Sequence, residues 1–379
     1  MVLASDSLHE RARAFVSAFE ASPESPASPE PFDALASDLA RHQAAHIEGY
    51  TRLCKARGVD VAKLESASDI PAVPTDAFKV TRVATFPPAE SAVTFRTSGT
   101  TVGTRGEHAM RDVATYDAAA VAFGRRWLAR DLTAKVPVIV LGPSLADAPD
   151  SSLVHMCAAF VGAFGREATS ASTYLVDADG VLDLATFDER VAFALASNEP
   201  MLILGTSFAF VHLVDAIGDA TFVLPRGSRV MQTGGYKGRS REVPPDVLRA
   251  DLARVFGIDL RAVVAEYGMT ELSSQFYEQT LFDVSAPLGF YAEPPWARVV
   301  PVDPDSLAPV PDGEIGIAKI IDLMNVDSAV AVLTQDRVRR AGQGHRGFEL
   351  LGRAPGAPPR GCSIAMDELL GRAGSTMAT

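Results

Sequence analysis

Ten consecutive residues, Thr97–Gly106, combine side chains that bind phosphate groups. Five of the ten carry a hydroxyl, three are glycines, and Arg105 carries a guanidinium. Glycine lets backbone N–H groups approach an anion, hydroxyls donate hydrogen bonds to phosphate oxygens, and a guanidinium adds a planar pair of charged donors. The stretch lacks the Gly-Lys-Ser/Thr end of a Walker A loop and the glycine spacing of a dinucleotide-binding loop. Taken alone it also fits a polar surface turn, so its interpretation depends on the rest of the chain.

Three further polar motifs follow segments that are predicted to be buried strands. They are Gly234–Arg239 after Arg229–Gln232, Tyr267–Glu271 after Ala262–Ala265, and Asp336 after Val330–Leu333. In α/β proteins, ligands bind where parallel strands end and loops begin. The shared position of these motifs therefore predicts a ligand site at the ends of the strands.

The elements that would position these motifs alternate between strands and helices. Val136–Leu141 and Met201–Leu204 are apolar runs typical of buried strands. Leu153–Phe164 and the segment that begins at Pro244 have helical spacing. Strands separated by helices predict an α/β protein with mostly parallel sheets.

The chain is expected to have three parts. Residues 1–80 are predicted to be a helical segment, in which residues 21–31 form a Pro/Ser-rich linker and Phe32–Leu53 form one amphipathic helix. Residues 81–350 are predicted to form the α/β core, and residues 351–379 a short C-terminal arm.

Composition excludes several classes of protein. The 379 residues are 47% hydrophobic, with a formal charge of −12 and a pI near 5.1, which argues against a nucleic acid or an anionic membrane as partner. We find neither a secretory signal nor a run of about 18 apolar residues. Three widely separated cysteines fit reduced thiols, so we expect a cytoplasmic protein without a membrane span.

Taken together, the motifs resemble those of the adenylate-forming superfamily of acyl and aryl acid ligases. Thr97–Gly106 is similar to its phosphate loop, Tyr267–Glu271 to its Tyr-Gly-x-Thr-Glu motif, and Leu333–Asp336 to its ribose-contacting Thr-Gly-Asp. The resemblance implies a large adenylate-forming core, like that of acyl-CoA synthetases, here without the full C-terminal lid domain.

Three more segments narrow the resemblance to the LuxE-type acyl-protein synthetases, the ligase subunits of bacterial fatty-acid reductase systems. These segments are Pro74–Lys79, Thr233–Gly238 and Arg360–Ser363. The similarity covers roughly residues 32–370.

The resemblance implies a site for ATP and Mg²⁺. Such an enzyme must neutralise the triphosphate and hold the attacking and leaving oxygens in line. Thr270 would contact the α-phosphate, and Glu271 would hold Mg²⁺, a hard cation that prefers carboxylate oxygen. Tyr267 would stack near the adenine, and Asp336 would bind the ribose. The candidate nucleotide-binding residues are Thr97, Ser98, Gly99, Thr100, Thr101, Gly103, Arg105, Gly234, Gly235, Tyr267, Gly268, Asp336 and Arg353.

The second half of the implied reaction depends on Cys362. A thiolate attacks an acyl adenylate readily because AMP is a good leaving group, and the thioester keeps the acyl group activated. The resemblance implies that the cysteine at this place is acylated and hands the acyl group on. Ala354–Gly361 is rich in proline and glycine, which predicts an irregular, mobile arm, and Arg360 is expected to lower the pKa of the thiol.

Three departures from the superfamily pattern bear on the phosphate loop, the hinge and the catalytic cation. Val102 stands where the phosphate loop usually has glycine, Pro355 replaces the aspartate of the Gly-Arg-x-Asp hinge, and no lysine follows Lys319 to act as the usual lid lysine. Lys237, in a glycine run after a predicted strand, is the candidate catalytic cation that replaces it. Lys79 is the second candidate.

The predicted function is ATP-dependent activation of a fatty or aryl acid as acyl-AMP, followed by thioester transfer through Cys362. Candidate acceptors are an acyl carrier protein, a reductase subunit, coenzyme A or a phosphopantetheine thiol. One alternative is an acyltransferase that loads Cys362 from acyl-CoA without adenylation; retention of Thr270, Glu271 and Asp336 argues against it. Another alternative is a non-catalytic subunit that uses the fold to bind a partner.

Overall fold

The structure is a computed structural model that describes residues 4–97, 104–166, 172–177, 179–234, 243–340, 347–356 and 360–372. The α-helices of these residues are α1 (Ala4–Ala21), α2 (Phe32–His46), α3 (Glu48–Ala56), α4 (Ala77–Val80), α5 (Ala114–Gly124), α6 (Ser152–Phe164), α7 (Leu184–Ser197), α8 (Ser207–Ile217), α9 (Pro245–Phe256) and α10 (Arg360–Leu370).

The β-strands of the described residues are β1 (Val73–Pro74), β2 (Val93–Arg96), β3 (Glu107–Met110), β4 (Val138–Leu141), β5 (Leu202–Thr206), β6 (Arg229–Thr233), β7 (Val263–Tyr267), β8 (Phe276–Glu278), β9 (Phe290–Ala292), β10 (Ala297–Val302), β11 (Ile315–Asp322), β12 (Ala331–Arg340) and β13 (Phe348–Arg353). The chain divides into two compact units. Unit 1 comprises Met1–Ala122, Met269–Ser274 and Tyr291–Thr379, and unit 2 comprises Phe123–Gly268 and Gln275–Phe290.

Unit 1 is built on an antiparallel sheet in which β10, β11, β12 and β13 are neighbours in that order. Strand β1 pairs in parallel with β12, with Val73 beside Val332. Strands β2 and β3 form a separate antiparallel pair. The rings of Phe19 in α1 and Trp296 meet edge to face at 5.5 Å, and Trp296 is fully buried, so the first helix contributes to the core of this unit.

The helical segment predicted at Phe32–Leu53 is two helices, so this prediction was wrong in one detail. Ile47 is extended, with φ −110° and ψ 98°, and separates α2 from α3. Its side chain is buried, and the turn lets both helices place apolar residues in the core. Leu35 and Leu39 of α2 and Leu53 of α3 are 0–1% exposed.

Helix α10 lies in the segment expected to be a short, mobile C-terminal arm and overlaps the predicted irregular run only at Arg360 and Gly361. It packs against α3, where Arg57 and Glu368 form an ion pair at 2.5 Å and Arg52 Nε donates to the carbonyl oxygen of Leu369 at 2.9 Å. A Cβ atom at Gly49 would lie 3.2 Å from the side chain of Leu369, so glycine permits the close approach of the two helices. The run rich in proline and glycine ends at Gly361. In the helix that follows, Cys362, Ala365 and Leu369 are buried at helical spacing.

Unit 2 has the parallel sheet that the sequence predicted. Strands β4, β5, β6 and β7 are neighbours and parallel, and β8 adds to β7 in the antiparallel direction. Helices α7, α8 and α9 cover the sheet through a cluster of buried side chains that includes Ile203, Phe187, Phe210 and Phe256. Burying each such side chain contributes about 1.5–3 kcal/mol.

Side-chain caps begin helices α6, α7 and α8 of unit 2. Ser151 accepts from Val154 N at the start of α6, and Thr206 accepts from Ala209 N at the start of α8. Gly257, with φ 59°, ends α9 in the left-handed conformation that glycine adopts without strain. Within the described residues, no helix is long and apolar enough to cross a membrane.

Candidate active site

The two ends of the predicted phosphate loop are tied together in unit 1. Strands β2 and β3 lead into and out of the loop, and beyond them Thr97 N donates to Gly106 O at 2.9 Å while Gly106 N donates to Thr97 Oγ1 at 2.8 Å. Arg105 Nε donates to the carbonyl oxygen of Thr97 at 2.6 Å. Thr97 and Gly106 therefore form a closed, hydrogen-bonded base of the loop, which we call the loop neck. Ser98, Gly99, Thr100, Thr101 and Gly103 lie outside the described residues, as does Val102.

The segment Met269–Ser274, which carries Thr270 and Glu271, also belongs to unit 1. His108 Nδ1 lies 2.7 Å from the carbonyl oxygen of Thr270, and Asn325 Nδ2 donates to the carbonyl oxygen of Glu271 at 2.9 Å. The carboxylate of Asp322 accepts from the backbone N–H groups of residues 273 and 274, both at 2.9 Å. Glu271 is 6% exposed, so a buried carboxyl group is presented by a backbone that is fixed at several consecutive residues.

The loop between β11 and β12 that supports Glu271 is itself held by helix α2. Gln43 Nε2 donates to the carbonyl oxygen of Asn325 at 2.8 Å, and its Oε1 accepts from Val330 N at 2.8 Å. Gln43 is fully buried and uses both ends of its amide. A buried amide with both ends bonded fixes its partners in one geometry.

Asp336 lies on β12 beside a polar network that joins two more of the predicted motifs. Gln335 Nε2 donates to Asp76 Oδ2 at 2.9 Å, and Arg353 Nη2 donates to Gln335 Oε1 at 3.1 Å. Lys79 Nζ donates to Asp76 Oδ1 at 2.7 Å. The segment Pro74–Lys79, the middle of β12 and the end of β13 are therefore connected through Gln335.

Lys79 also lies near the neck of the phosphate loop. A Cβ atom at Gly106 would be 3.6 Å from Lys79 Cγ and 3.0 Å from Thr97 Cγ2. Glycine at position 106 leaves room for both neighbours. This contact places the aliphatic part of the Lys79 side chain beside Gly106.

Cys362 lies in the first turn of α10 and is 3% exposed. Its thiol packs in a cluster with Val302, Ile317 and Leu333 and lies 3.7 Å from the carbonyl oxygen of Thr334. Burial, together with the nearby charge of Asp76, raises the pKa of the thiol to about 11. The expectation of a lowered pKa was therefore wrong for this conformation, because loss of hydration outweighs any nearby positive charge.

Unit 2 holds the remaining described candidates at the ends of β6 and β7. Tyr267 ends β7 with its ring 6.0 Å from that of Phe276. Gly234 follows β6 with φ 69°, a conformation that favours glycine. A Cβ atom at Gly268 would lie 2.5 Å from Glu266 Oε1, so a larger residue there would displace the Glu266 carboxyl group. Gly235 and Lys237 lie outside the described residues.

The donor set of unit 1 fits a magnesium nucleotide. No cluster of three or more metal-binding side chains occurs in the part of the chain that the structure describes. Mg²⁺ in nucleotide enzymes is usually held by one or two carboxylates together with substrate phosphates, and Glu271, which follows Thr270 in the chain, has a carboxyl group of this kind. The residues present thus fit Mg²⁺ bound largely through the nucleotide.

Sequence reasoning missed the residues that support these candidates. His108, Asn325 and Asp322 have no motif around them, and they reach their partners across long stretches of chain. Gln335 had a signal, because it stands where the superfamily motif has glycine.

The fold is that of the adenylate-forming ligases, which confirms the predicted fold class. A 2-hydroxyisobutyryl-CoA ligase in complex with 2-HIB-AMP and CoA matches 84% of this chain and 73% of its own, with a TM-score of 0.55 at 13% identity. ATP-bound MatB from Rhodopseudomonas palustris gives a TM-score of 0.49 at 14% identity over 71% of this chain. The chain spans only 49% of the length of MatB.

The chain belongs to the LuxE acyl-protein synthetase family, whose profile matches residues 23–371. The long-chain-fatty-acid–luciferin-component ligase of Aliivibrio fischeri is 24% identical over 284 residues, which are 72% of this chain and 70% of that protein. The ligase of the same name from Vibrio harveyi is 22% identical over 332 residues, 85% of this chain and 83% of its own. Family membership confirms the resemblance and identifies the chain as an enzyme of the ligase class.

Proposed function

We propose that this protein uses ATP to activate a carboxylic acid as its acyl adenylate and then carries the acyl group as a thioester on Cys362. A fatty acid is the first choice of substrate, because the two similar ligases are named for long-chain fatty acids. Aryl acids remain the second class to test. The acceptor is a protein or a small thiol, with an acyl carrier protein, a reductase subunit and coenzyme A as candidates.

One observation carries the proposal: separate motifs of the superfamily converge in unit 1. The phosphate-loop neck, the Thr270–Glu271 segment and the strand that bears Asp336 are all parts of this unit. They are joined by hydrogen bonds through His108, Asn325 and Gln335. An acyltransferase that used acyl-CoA alone would have no need to fix a buried carboxyl group beside a phosphate loop.

The first proposed step is adenylation. A carboxylate oxygen of the acid attacks the α-phosphorus of ATP, a new P–O bond forms, and the bond to pyrophosphate breaks. The loop after Thr97 would surround the departing phosphates, and the Thr270 hydroxyl would donate to the α-phosphate. Asp336 would accept hydrogen bonds from the ribose hydroxyls, and Tyr267 would lie against the base. Bound Mg²⁺, held in part by Glu271, would offset phosphate charge.

The second proposed step is thioester formation. The Cys362 sulfur attacks the acyl carbonyl carbon, a C–S bond forms, the C–O bond to AMP breaks, and the thiol proton passes to solvent. In the structure, Cys362 packs on the Leu333 side of β12. There Cys362 is 3% exposed, so its thiol is covered by its neighbours. The first turn of α10 must therefore leave its place before the thiol reaches an adenylate bound at Asp336.

Isotope exchange between ATP and pyrophosphate tests the first step directly. Wild-type protein with Mg²⁺, ATP and a panel of fatty and aryl acids is expected to catalyse acid-dependent exchange. Glu271→Gln keeps the size of the side chain and removes its charge, and should slow exchange by about 100-fold. Glu349→Gln, at a carboxylate that pairs with Arg339, is the matched control and should keep wild-type exchange.

The same assay separates the alternatives. Absence of exchange with every acid, together with a thioester formed from acyl-CoA, would replace the proposal with the acyltransferase. Absence of both reactions would leave the non-catalytic subunit.

A further inference from the structure

The imidazole of His108 connects two parts of the candidate site. It lies on β3, is 2% exposed, and places Nδ1 2.7 Å from the carbonyl oxygen of Thr270. A carbonyl oxygen only accepts, so Nδ1 must carry the hydrogen. Burial lowers the pKa of His108 to about 4, although the bond to Thr270 acts in the opposite direction. The ring is therefore a neutral donor of fixed tautomer at neutral pH.

The strand that carries His108 is the strand that leaves the phosphate loop. His108 lies two residues after Gly106, which closes the loop neck with Thr97. Across the β2–β3 pair, His108 is opposite Phe95. The ring of Phe78, in the segment Pro74–Lys79, meets the imidazole at 5.7 Å and an interplanar angle of 68°. The imidazole is thus held from two sides, and its position follows that of the loop neck.

The acceptor of this bond is the residue expected to contact the α-phosphate. The carbonyl oxygen of Thr270 is bound by His108, and the next carbonyl oxygen, that of Glu271, is bound by Asn325. Both donors act on the backbone, so they fix the main chain of residues 270 and 271. A buried carbonyl oxygen that lost its donor would be poorly satisfied, so the segment would adjust its backbone.

We propose that His108 is a positioning residue for adenylation: through Thr270 it sets the α-phosphate and magnesium ligands at a fixed distance from the loop neck formed by Thr97 and Gly106. This inference rests on the proposed function. His108 would touch neither substrate nor metal, and its effect would pass through the backbone of residues 270 and 271. Loss of such outer partners typically reduces affinity or activity 10–100-fold.

Two substitutions separate positioning from general packing. In His108→Asn, the side-chain amide nitrogen occupies the place of Nδ1 and can still donate to the Thr270 carbonyl oxygen. His108→Leu fills similar volume and cannot donate. Ser228→Ala is the control for loss of buried hydrogen bonds elsewhere, because Ser228 Oγ accepts from Met201 N and donates to the carbonyl oxygen of Pro225 in unit 2.

The experiment measures MgATP binding by calorimetry and pyrophosphate exchange for the wild type and the three variants, together with their urea unfolding. We expect His108→Leu to weaken MgATP binding and slow exchange by about 10–100-fold, with the KM for the acid unchanged, and His108→Asn to recover most of both. Ser228→Ala should lose stability and keep both. Wild-type binding and exchange in His108→Leu, or equal losses in the Leu and Asn variants, would overturn the inference.

The same data distinguish failure of the inference from failure of the proposed function. A wild type that binds MgATP and exchanges no pyrophosphate would contradict adenylation, and the Leu-to-Asn ratio of MgATP affinity would still decide the role of His108. A wild type that does not bind MgATP at all would overturn both.

Discussion

At the residue scale, the carboxyl group of Glu266 connects the ends of two parallel strands in unit 2. Thr233 Oγ1 at the end of β6 donates to Glu266 Oε2, and Glu266 Oε1 occupies the space beside Gly268. Burial raises the pKa of Glu266 to about 7, although the bond from Thr233 acts in the opposite direction. The folded protein therefore keeps this carboxyl group protonated at a pH where the unfolded chain has already released the proton.

This difference predicts how stability depends on pH. From about pH 4.5 to pH 7 the unfolded chain ionises Glu266 while the folded protein does not, so ionisation favours unfolding as pH rises and the effect levels off above pH 7. Glu266→Gln cannot ionise. Relative to this variant, the wild-type free energy of unfolding should fall by up to about 3 kcal/mol between pH 4 and pH 8. Urea denaturation of both proteins across this range measures it, and parallel curves would contradict the shifted pKa.

The residues that build the site differ in how much of their role the sequence could reveal. Thr97–Gly106 and Glu271 are visible because their chemistry lies within a short motif. His108 is 162 positions from Thr270, and Asn325 is 54 positions from Glu271. A lone histidine on a strand gives no sign of a partner at that distance, so only the folded chain reveals these bonds.

At the element scale, helix α10 determines whether Cys362 can react. The thiol is covered when α10 packs on α3, and the proposed chemistry needs it uncovered. The ion pair of Arg57 and Glu368 and the bond from Arg52 to the carbonyl oxygen of Leu369 hold the helix in place. Undocking of α10 is therefore expected to limit the rate of thiol reactions.

Weakening this contact should expose the thiol more often. Glu368→Gln removes one charge of a pair whose side chains are 26% and 21% exposed, a contact worth about 1 kcal/mol. Alkylation of Cys362 by iodoacetamide, followed by peptide mass spectrometry, should accelerate about fivefold. Peptide mass also separates Cys362 from Cys54 and Cys157, which are equally buried.

The control for this prediction is Asp60→Asn, at an exposed ion pair with Lys63, which should leave the alkylation rate unchanged. Equal rates in wild type and Glu368→Gln would show that α10 does not shield the thiol through this pair. A wild-type rate equal to that of a free thiol would mean that the docked position is rarely occupied.

Element boundaries show where sequence patterns fail. The apolar spacing through Phe32–Leu53 correctly predicted helical structure, but the chain turns at Ile47 and forms two helices. No glycine or proline marks this turn, which depends on the side chains that α2 and α3 bury. Likewise, the proline-rich run before Arg360 gave no indication that the next eleven residues form α10. Packing against α3 supplies what local propensity does not.

At the scale of the whole molecule, both units contribute candidates. The boundary between Gly268 and Met269 divides the Tyr-Gly-Met-Thr-Glu motif, so Tyr267 belongs to unit 2 and Thr270 and Glu271 to unit 1. The parallel sheet of unit 2 was predicted from alternating strands and helices. The antiparallel sheet of unit 1 was not predicted, and its β11–β12 and β12–β13 pairs contain register shifts.

The central claim is that one chain both makes an acyl adenylate and accepts the acyl group on Cys362. Its most direct test is the intact mass of wild type and Cys362→Ala after incubation with Mg²⁺, ATP and a panel of fatty and aryl acids. We predict an added acyl mass on wild type only, dependent on ATP and removed by hydroxylamine, while Cys362→Ala keeps pyrophosphate exchange. An ATP-dependent acyl adduct of equal size on both proteins, or no adduct on wild type with any acid, would contradict the account.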